Sequence, residues 1–183
     1  MKTALILVDI QNDYFPKGKM PLENIGRAAD NAAELLSHFR ANKLPTFHIQ
    51  HTWEDESAPF FVAGSKGAQL HKSIAPGPNE SVIVKHFPNS FRESNLLEEL
   101  KKARVERLAI CGAMSHMCID ATTRAAADLG FDCIVAHDAC ATTDVEFAGK
   151  KVPAAEVHAA FMSALGFAYA KVVPTKEAVQ LIK

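Results

Sequence analysis

No run of about 18 apolar residues occurs anywhere in the 183-residue chain, so the sequence holds no candidate for a membrane-spanning helix. Charge of one sign is not in excess either: 20 Lys and Arg stand against 21 Asp and Glu. That balance leaves no basic stripe to neutralise nucleic-acid phosphates or an anionic lipid surface, and neither nucleic acid nor membrane is expected as a partner. The first residues, MKTALILVDIQND, carry one Lys, a short apolar stretch and then an acid, without a small-residue cleavage site. They read as a strand and not as a secretion signal, and a cytoplasmic location is expected. The four cysteines, Cys111, Cys118, Cys133 and Cys140, form no CxxC pair and no Cys/His zinc spacing. In a reducing compartment such thiols stay free. There is no internal repeat, and GSKG at 64–67 lacks the spacing and the strand–helix context of a phosphate loop.

What is present is an ordinary globular balance, 48% hydrophobic and 22% charged. The length suits one domain, residues 1–183. Apolar runs of strand length alternate with helical patterns. Strands are expected at 5–8, 46–50, 81–85, 108–111, 133–136 and 168–173. Helical spacing covers 22–42, through Leu22, Ile25, Ala29, Ala32, Leu36 and Phe39. Further helices are expected at 95–103 with Ser94 as N-cap, at 117–129 stopped by Gly130, at 153–165, and from about 175. Continuous apolar strands separated by helices predict a mainly parallel six-stranded sheet in a three-layer α-β-α sandwich. Residues 52–80 and 138–152 fit no element. The first stretch is long for a structureless connection and is expected to be a lid or a subunit contact.

In open α/β sheets, ligands sit beyond the carboxyl ends of the strands. Three reactive residues fall at such ends. Asp9 closes the first strand, Lys85 the third, and Cys118 follows the fourth across the turn GAMSH. A reversal of strand order between the first and fourth strands would gather them in one crevice. Taken singly, Asp9 reads as a turn residue, Lys85 as a solvated strand end and Cys118 as buried filler. Taken together they form a nucleophile set. A helix start and an ammonium lower a thiol's pKa, an Asp takes its proton, and backbone amides in the turn can hold an oxyanion.

At these residues the chain resembles the isochorismatase-like cysteine hydrolases, which include nicotinamidases and N-carbamoylsarcosine amidases. ALILVDIQNDYF is similar to the family's first strand, SVIVKHFPNSF to its lysine strand, and LAICGAMSHMCIDATTRAAADLGF to its nucleophile strand, turn and helix. The resemblance implies catalytic roles for Asp9, Lys85 and Cys118, a cis peptide before Met114, and an oxyanion hole made by the Met114 and Cys118 amides. It also implies a small-molecule substrate and a homo-oligomer.

Two departures narrow the activity. Metal-dependent nicotinamidases carry an Asp-x-His pair after the second strand, where this chain reads FHIQHTWEDESAPFF. His48, His51 and His71 are present without that pattern, so neither metal nor other cofactor is expected. Isochorismatases proper lack the nucleophilic cysteine, which is present here. The expected activity is therefore hydrolysis of the C–N bond of a small amide, lactam, imide or carbamoyl compound through a Cys118 thioester. A catalytically silent binding or scaffold protein and a vinyl ether hydrolase are the alternatives on the same fold. A thiol sensor pairing Cys118 with Cys111 is a third. Tyr14, Phe15, Trp53, Phe87, Phe91 and His116 are candidate pocket residues; Phe15 and Phe91 fit core and pocket equally well.

Overall fold

The computed structural model describes residues 1–182. The elements, in order, are β1 (Thr3–Val8), α1 (Ile25–Ala41), β2 (Thr46–His51), β3 (Ser81–Lys85), α2 (Leu96–Lys102), β4 (Arg107–Ala113), α3 (Asp120–Asp128), β5 (Asp132–Ala141), β6 (Val145–Phe147), β7 (Lys150–Val152), α4 (Ala154–Ala168), β8 (Lys171–Val173) and α5 (Thr175–Leu181). Six strands form one sheet in the order β3-β2-β1-β4-β5-β8, and every ladder in it is parallel. β1 lies inside the sheet with all six residues buried, which is why its sequence is apolar on both faces. α1 and α5 pack on each other, as do α3 and α4, giving the three-layer sandwich. No helix of the described residues is long and apolar enough to cross a membrane.

α1 buries Ile25, Ala28, Ala29, Ala32, Leu35, Leu36 and Phe39, the stripe that its spacing predicts. It starts at Ile25, three residues after the expected 22. α2 is shorter than expected as well. Asn95 takes the N-cap position, and Ser94 accepts the Leu96 N–H at 3.3 Å from one residue further out.

The stretch 138–152 does not lack structure, contrary to expectation. β5 passes through the polar pair His137-Asp138 because its ladder to β4 resumes beyond a register shift, at Gly112↔Cys140 and Ala113↔Ala141. β6 and β7 then form an antiparallel hairpin. Its two-residue turn, Ala148-Gly149, has φ of 50° and 77°, the primed-turn conformation that matches strand twist. At the C-terminal end, α4 runs on to Ala168 and leaves only residues 171–173 for the last strand.

Residues 52–80 contain no strand, yet they are fastened to the segment after β1. Asn12 N–H donates to Gln69 C=O at 3.0 Å, Asp13 N–H to Gly67 C=O at 2.9 Å, and His71 N–H to Ile10 C=O at 2.8 Å. Buried Gln11 donates to the carbonyls of His51 and Ala68, both at 2.8 Å, and accepts the His51 N–H at 2.8 Å. Buried Asp13 accepts the Phe61 N–H at 2.8 Å. Gly67 is required there, since a Cβ would run into the Asp13 carboxylate.

The far end of this segment is held by Glu80. Its carboxylate accepts from Arg40 of α1 at 2.7 and 2.8 Å, from buried His48 of β2 at 2.8 Å, and from Gly77 N–H at 2.7 Å. The Arg40 hydrogen bond is the largest cause of a Glu80 pKa lowered from 4.5 to about 2, with the Gly77 amide and His48 adding to it against partial burial. Because the folded-state pKa is depressed, the stabilisation is complete above pH 4.5 and is lost as pH falls toward 2. Arg40 is partly exposed, so the contribution is screened to about 1 kcal/mol. Glu80→Gln should lower the melting temperature near neutral pH by about 2–4 °C. The gap to wild type should narrow steadily below pH 4.5; a gap that does not change with pH would contradict this role.

Candidate active site

Four neighbouring strands each deliver one side chain to the carboxyl edge of the sheet. Lys85 ends β3, His51 ends β2 and pairs in register with Lys85, Asp9 follows β1, and Cys118 follows β4. Lys85 lies two strand spacings from β1, about 10 Å, and its side chain reaches past β2 to Asp9. Its ammonium donates to Asp9 Oδ2 at 2.8 Å, Cys118 Sγ at 3.3 Å and the Phe87 carbonyl at 3.1 Å. His51 Nδ1 lies 3.1 Å from the same nitrogen. Asp9 and Lys85 are fully buried and Cys118 is 4% exposed. Four acceptors thus surround three N–H bonds in a dry site.

Local backbone geometry sets these positions. Asp9 has φ of 51°, a left-handed conformation that Asp tolerates better than bulkier residues. It turns the chain out of β1 and leaves the carboxylate beneath the strand ends. Gly112 has φ of 126°, and a Cβ there would strike the Val8 carbonyl of the adjacent strand. The Ala113–Met114 peptide is cis. Residues Ser115–Ile119 then form a π-type turn, in which the Ile119 N–H reaches back five residues to the Met114 carbonyl at 3.1 Å. Such wide turns are found frequently at functional sites. Cys118 therefore sits in a π turn ahead of α3, not in the first α-helical turn expected from 117.

The turn is braced by polar contacts that the sequence reading did not single out. Buried Ser115 bonds His158 Nδ1 of α4 at 2.8 Å and the Ala141 carbonyl at 3.3 Å. Buried Ser90 meets Thr122 Oγ1 of α3 at 2.8 Å, tying the loop after Lys85 to the cysteine helix. Gln11 and Asp13 were missed in the same way. Their signal was the run of three polar residues, Gln11, Asn12 and Asp13, close behind a buried strand.

The electrostatics depart from the expected thiolate. Burial pushes the Cys118 thiol up, and Asp9 pushes it further; Lys85 pulls the other way and is outweighed. Burial would lower the Lys85 pKa, but Asp9 and Cys118 hold it above its ordinary value. The reason is charge balance. One buried ammonium can neutralise one anion, and Asp9 already fills that role, so a second anion on sulfur is unfavourable. Burial and the Asp9–Lys85 pair together favour the neutral thiol on Cys118. Asp9 Oδ1 is buried without a hydrogen-bond partner, which leaves a lone pair open to the S–H.

Of the expected pocket residues, three gather near this cluster. Tyr14 is buried, and both Asp9 and Cys118 contribute, after burial, to a raised hydroxyl pKa. Trp53, 37% exposed, leans on His51 with ring centroids 4.9 Å apart. Phe87 contributes its carbonyl, while its ring lies under the Arg92 guanidinium at 3.7 Å. The other three candidates have partners of their own. Phe15 stacks on His71 at 3.7 Å and lines a separate cavity with Asn12, Lys66 and Gly67. Phe91 packs on Phe131 and the main core. His116 bonds Thr142 at 2.6 Å. Met114 lies in a small cluster with Tyr14 and Phe61.

The three histidines considered as metal ligands do not meet. His48 is held by Glu80, and His71 stacks on Phe15 and bonds Ser73. Among the described residues the group with ligand spacing is Asp9, His51 and Cys118, whose donor atoms lie within 4.8 Å of one another. The Lys85 ammonium contacts all three, so the place of a metal cation in that cage is taken by a side-chain cation.

Comparison with known proteins gives this geometry its context. The family model for the isochorismatase domain matches residues 3–164. The chain belongs to the isochorismatase family of hydrolases. It is 52% identical to the isochorismatase family protein YddQ of Bacillus subtilis, with 96% of this chain and 98% of that one covered. It is 34% identical to a streptothricin hydrolase of Streptomyces noursei, covering 98% of this chain and 64% of that one. A crystal structure from Oleispira antarctica, described as an isochorismatase hydrolase, superposes with a TM-score of 0.95 at 54% identity, covering 98% of this chain and 96% of that one.

The charge balance among Asp9, Lys85 and Cys118 can be tested directly. Asp9→Asn leaves the buried ammonium without its anion, so the thiolate becomes the favoured partner. The pH midpoint for Cys118 alkylation, followed by intact mass, should move down in Asp9→Asn and up in Lys85→Met. Midpoints that stay put in both variants would refute the coupling.

Proposed function

We propose that the protein is a metal-independent cysteine hydrolase that cleaves the C–N bond of a small amide, lactam, imide or carbamoyl compound. The observation that carries this reading is the single buried ammonium bonded at once to Asp9 and Cys118. It holds an acid–base group and a nucleophile together where water does not compete. The relationship to a streptothricin hydrolase supports hydrolysis as the reaction type.

In the proposed sequence, Asp9 takes the Cys118 proton as the sulfur attacks the acyl carbon. Charge migrates from sulfur to the carbonyl oxygen, where the Met114 and Cys118 amides receive it. The C–N bond breaks, Asp9 returns its proton to the leaving nitrogen, and the amine departs. The acyl group remains on Cys118 as a thioester. Asp9 then takes a proton from water, hydroxide adds to the thioester carbon, and the C–S bond breaks with the proton passing to sulfur. Lys85 keeps its proton throughout. Its charge lowers the cost of the transient thiolate as the Asp9 charge is quenched. A high resting thiol pKa is consistent with this scheme, because the thiolate is needed only while Asp9 carries the proton.

The test is a panel of small amides, lactams, imides and carbamoyl compounds with wild type and Cys118→Ala. The variant should lose at least about 10³-fold in kcat/KM on any compound the wild type hydrolyses. Its melting temperature should stay close to wild type, and the wild type should show an acyl adduct on Cys118 by mass. A Cys118→Ala protein that turns over at the wild-type rate would end this mechanism.

A further inference from the structure

His51 is the member of the buried cluster that the proposed mechanism leaves without a task. The Lys85 ammonium has only N–H bonds to offer, so His51 Nδ1, 3.1 Å away, is the acceptor in that pair. A neutral imidazole that accepts at Nδ1 carries its proton on Nε2. The neutral form is the stable one, since burial lowers the His51 pKa to about 4. The Nε2 atom is buried and has no hydrogen-bond partner among the described residues. His51 therefore presents a buried, unused N–H on the side of its ring turned away from the ammonium. Buried donors without acceptors are rare and call for an explanation.

The ring cannot easily turn to find another partner. Gln11 clamps the His51 backbone at both its N–H and its carbonyl, each at 2.8 Å. Nδ1 is held by Lys85, and the Trp53 and Phe61 rings lie 4.9 and 6.2 Å away. His51 shares the 4.8 Å cluster with the Cys118 sulfur. One ring nitrogen of His51 lies within 4.8 Å of that sulfur, so the other is at most the width of the imidazole further away.

We propose that the His51 Nε2–H orients the substrate by donating to a second acceptor oxygen, close beside the carbonyl that Cys118 attacks. The substrate class this selects is a flat imide or ureide-like compound with two neighbouring carbonyls, in preference to a simple amide. The inference rests on the reading of Cys118 as nucleophile. His51 contacts the non-reacting part of the substrate and takes no part in bond making.

Two variants separate its two nitrogens. His51→Asn can keep an acceptor toward Lys85 but loses the far donor. His51→Gln can place an amide N–H where Nε2 lies. The probes are succinimide and 2-pyrrolidinone, which differ only in the second carbonyl. The ratio of their kcat/KM values cancels their reactivity difference when variants are compared. That ratio should fall at least about tenfold in His51→Asn and stay within about threefold of wild type in His51→Gln. Long-range ¹H–¹⁵N NMR of the wild type near neutral pH should show the Nε2–H tautomer. A ratio unchanged in His51→Asn overturns the proposal. So does a ratio lost equally in both variants, which marks a packing role. An Nδ1–H tautomer overturns it too, as does wild-type protein that hydrolyses neither probe. Hydrolysis of the probes that survives Cys118→Ala strikes the nucleophile reading instead, and leaves the His51 comparison to stand or fall alone.

Discussion

The active-site region depends on one buried positive charge. An ammonium taken from water is costly unless an anion and further acceptors surround it. Lys85 meets that demand with the Asp9 carboxylate, the Cys118 sulfur, the Phe87 carbonyl and His51 Nδ1. Each acceptor comes from a different stretch of chain, so satisfying the charge also aligns four pieces of backbone. Removing one partner of such a buried pair leaves an uncompensated charge, typically at about 3–5 kcal/mol. The same constraint shapes the proposed chemistry. With one cation to share, Asp9 and Cys118 cannot both be anionic at little cost, so in that scheme the proton passes between them.

The polar residues after β1 extend this logic outward. Gln11 and Asp13 are buried and spend their hydrogen bonds on backbone groups of His51, Phe61 and Ala68. They fasten a long stretch without strands over the sheet edge, so that Phe61 and Trp53 stand beside His51. A segment whose length suggests a lid or a subunit contact is in large part strapped to the chain after β1. On the other side, Ser115 and Thr122 tie the π turn and α3 to β5, α4 and the loop after Lys85. Cys118 is held by polar contacts from several directions, which is the alignment the proposed reaction would need.

Much of this was legible from residue order. The apolar run 5–8, the polar break at Asp9 and the Gly112 turn are local signals, and the structure keeps them. So are the helical stripe of α1 and the alternation that predicts a parallel sheet. The misreadings have local causes too. β5 was cut short because His137 and Asp138 interrupt an apolar run, although the ladder to β4 continues past them. The Ala148-Gly149 hairpin carries a weak turn signal between short polar strands. Phe15, Phe91 and His116 were candidates by proximity in sequence, and each has a partner outside the Cys118 cluster, namely His71, Phe131 and Thr142.

The sequence by itself determined the strand–helix alternation, the strand ends that carry Asp9 and Lys85, and the turn that precedes Cys118. These follow from periodicity and from residues whose backbone preferences act over a few positions. Only the tertiary structure decided that β1 lies between β2 and β4, that the lysine spans two strands, and that His51 lies against it with one nitrogen unused. It also decided the sign of the thiol's shift. A helix start and a nearby lysine argue for a lowered pKa. The depth of burial and the prior claim of Asp9 on the same ammonium reverse it. Those are sums over neighbours from distant parts of the chain, and no local pattern encodes them.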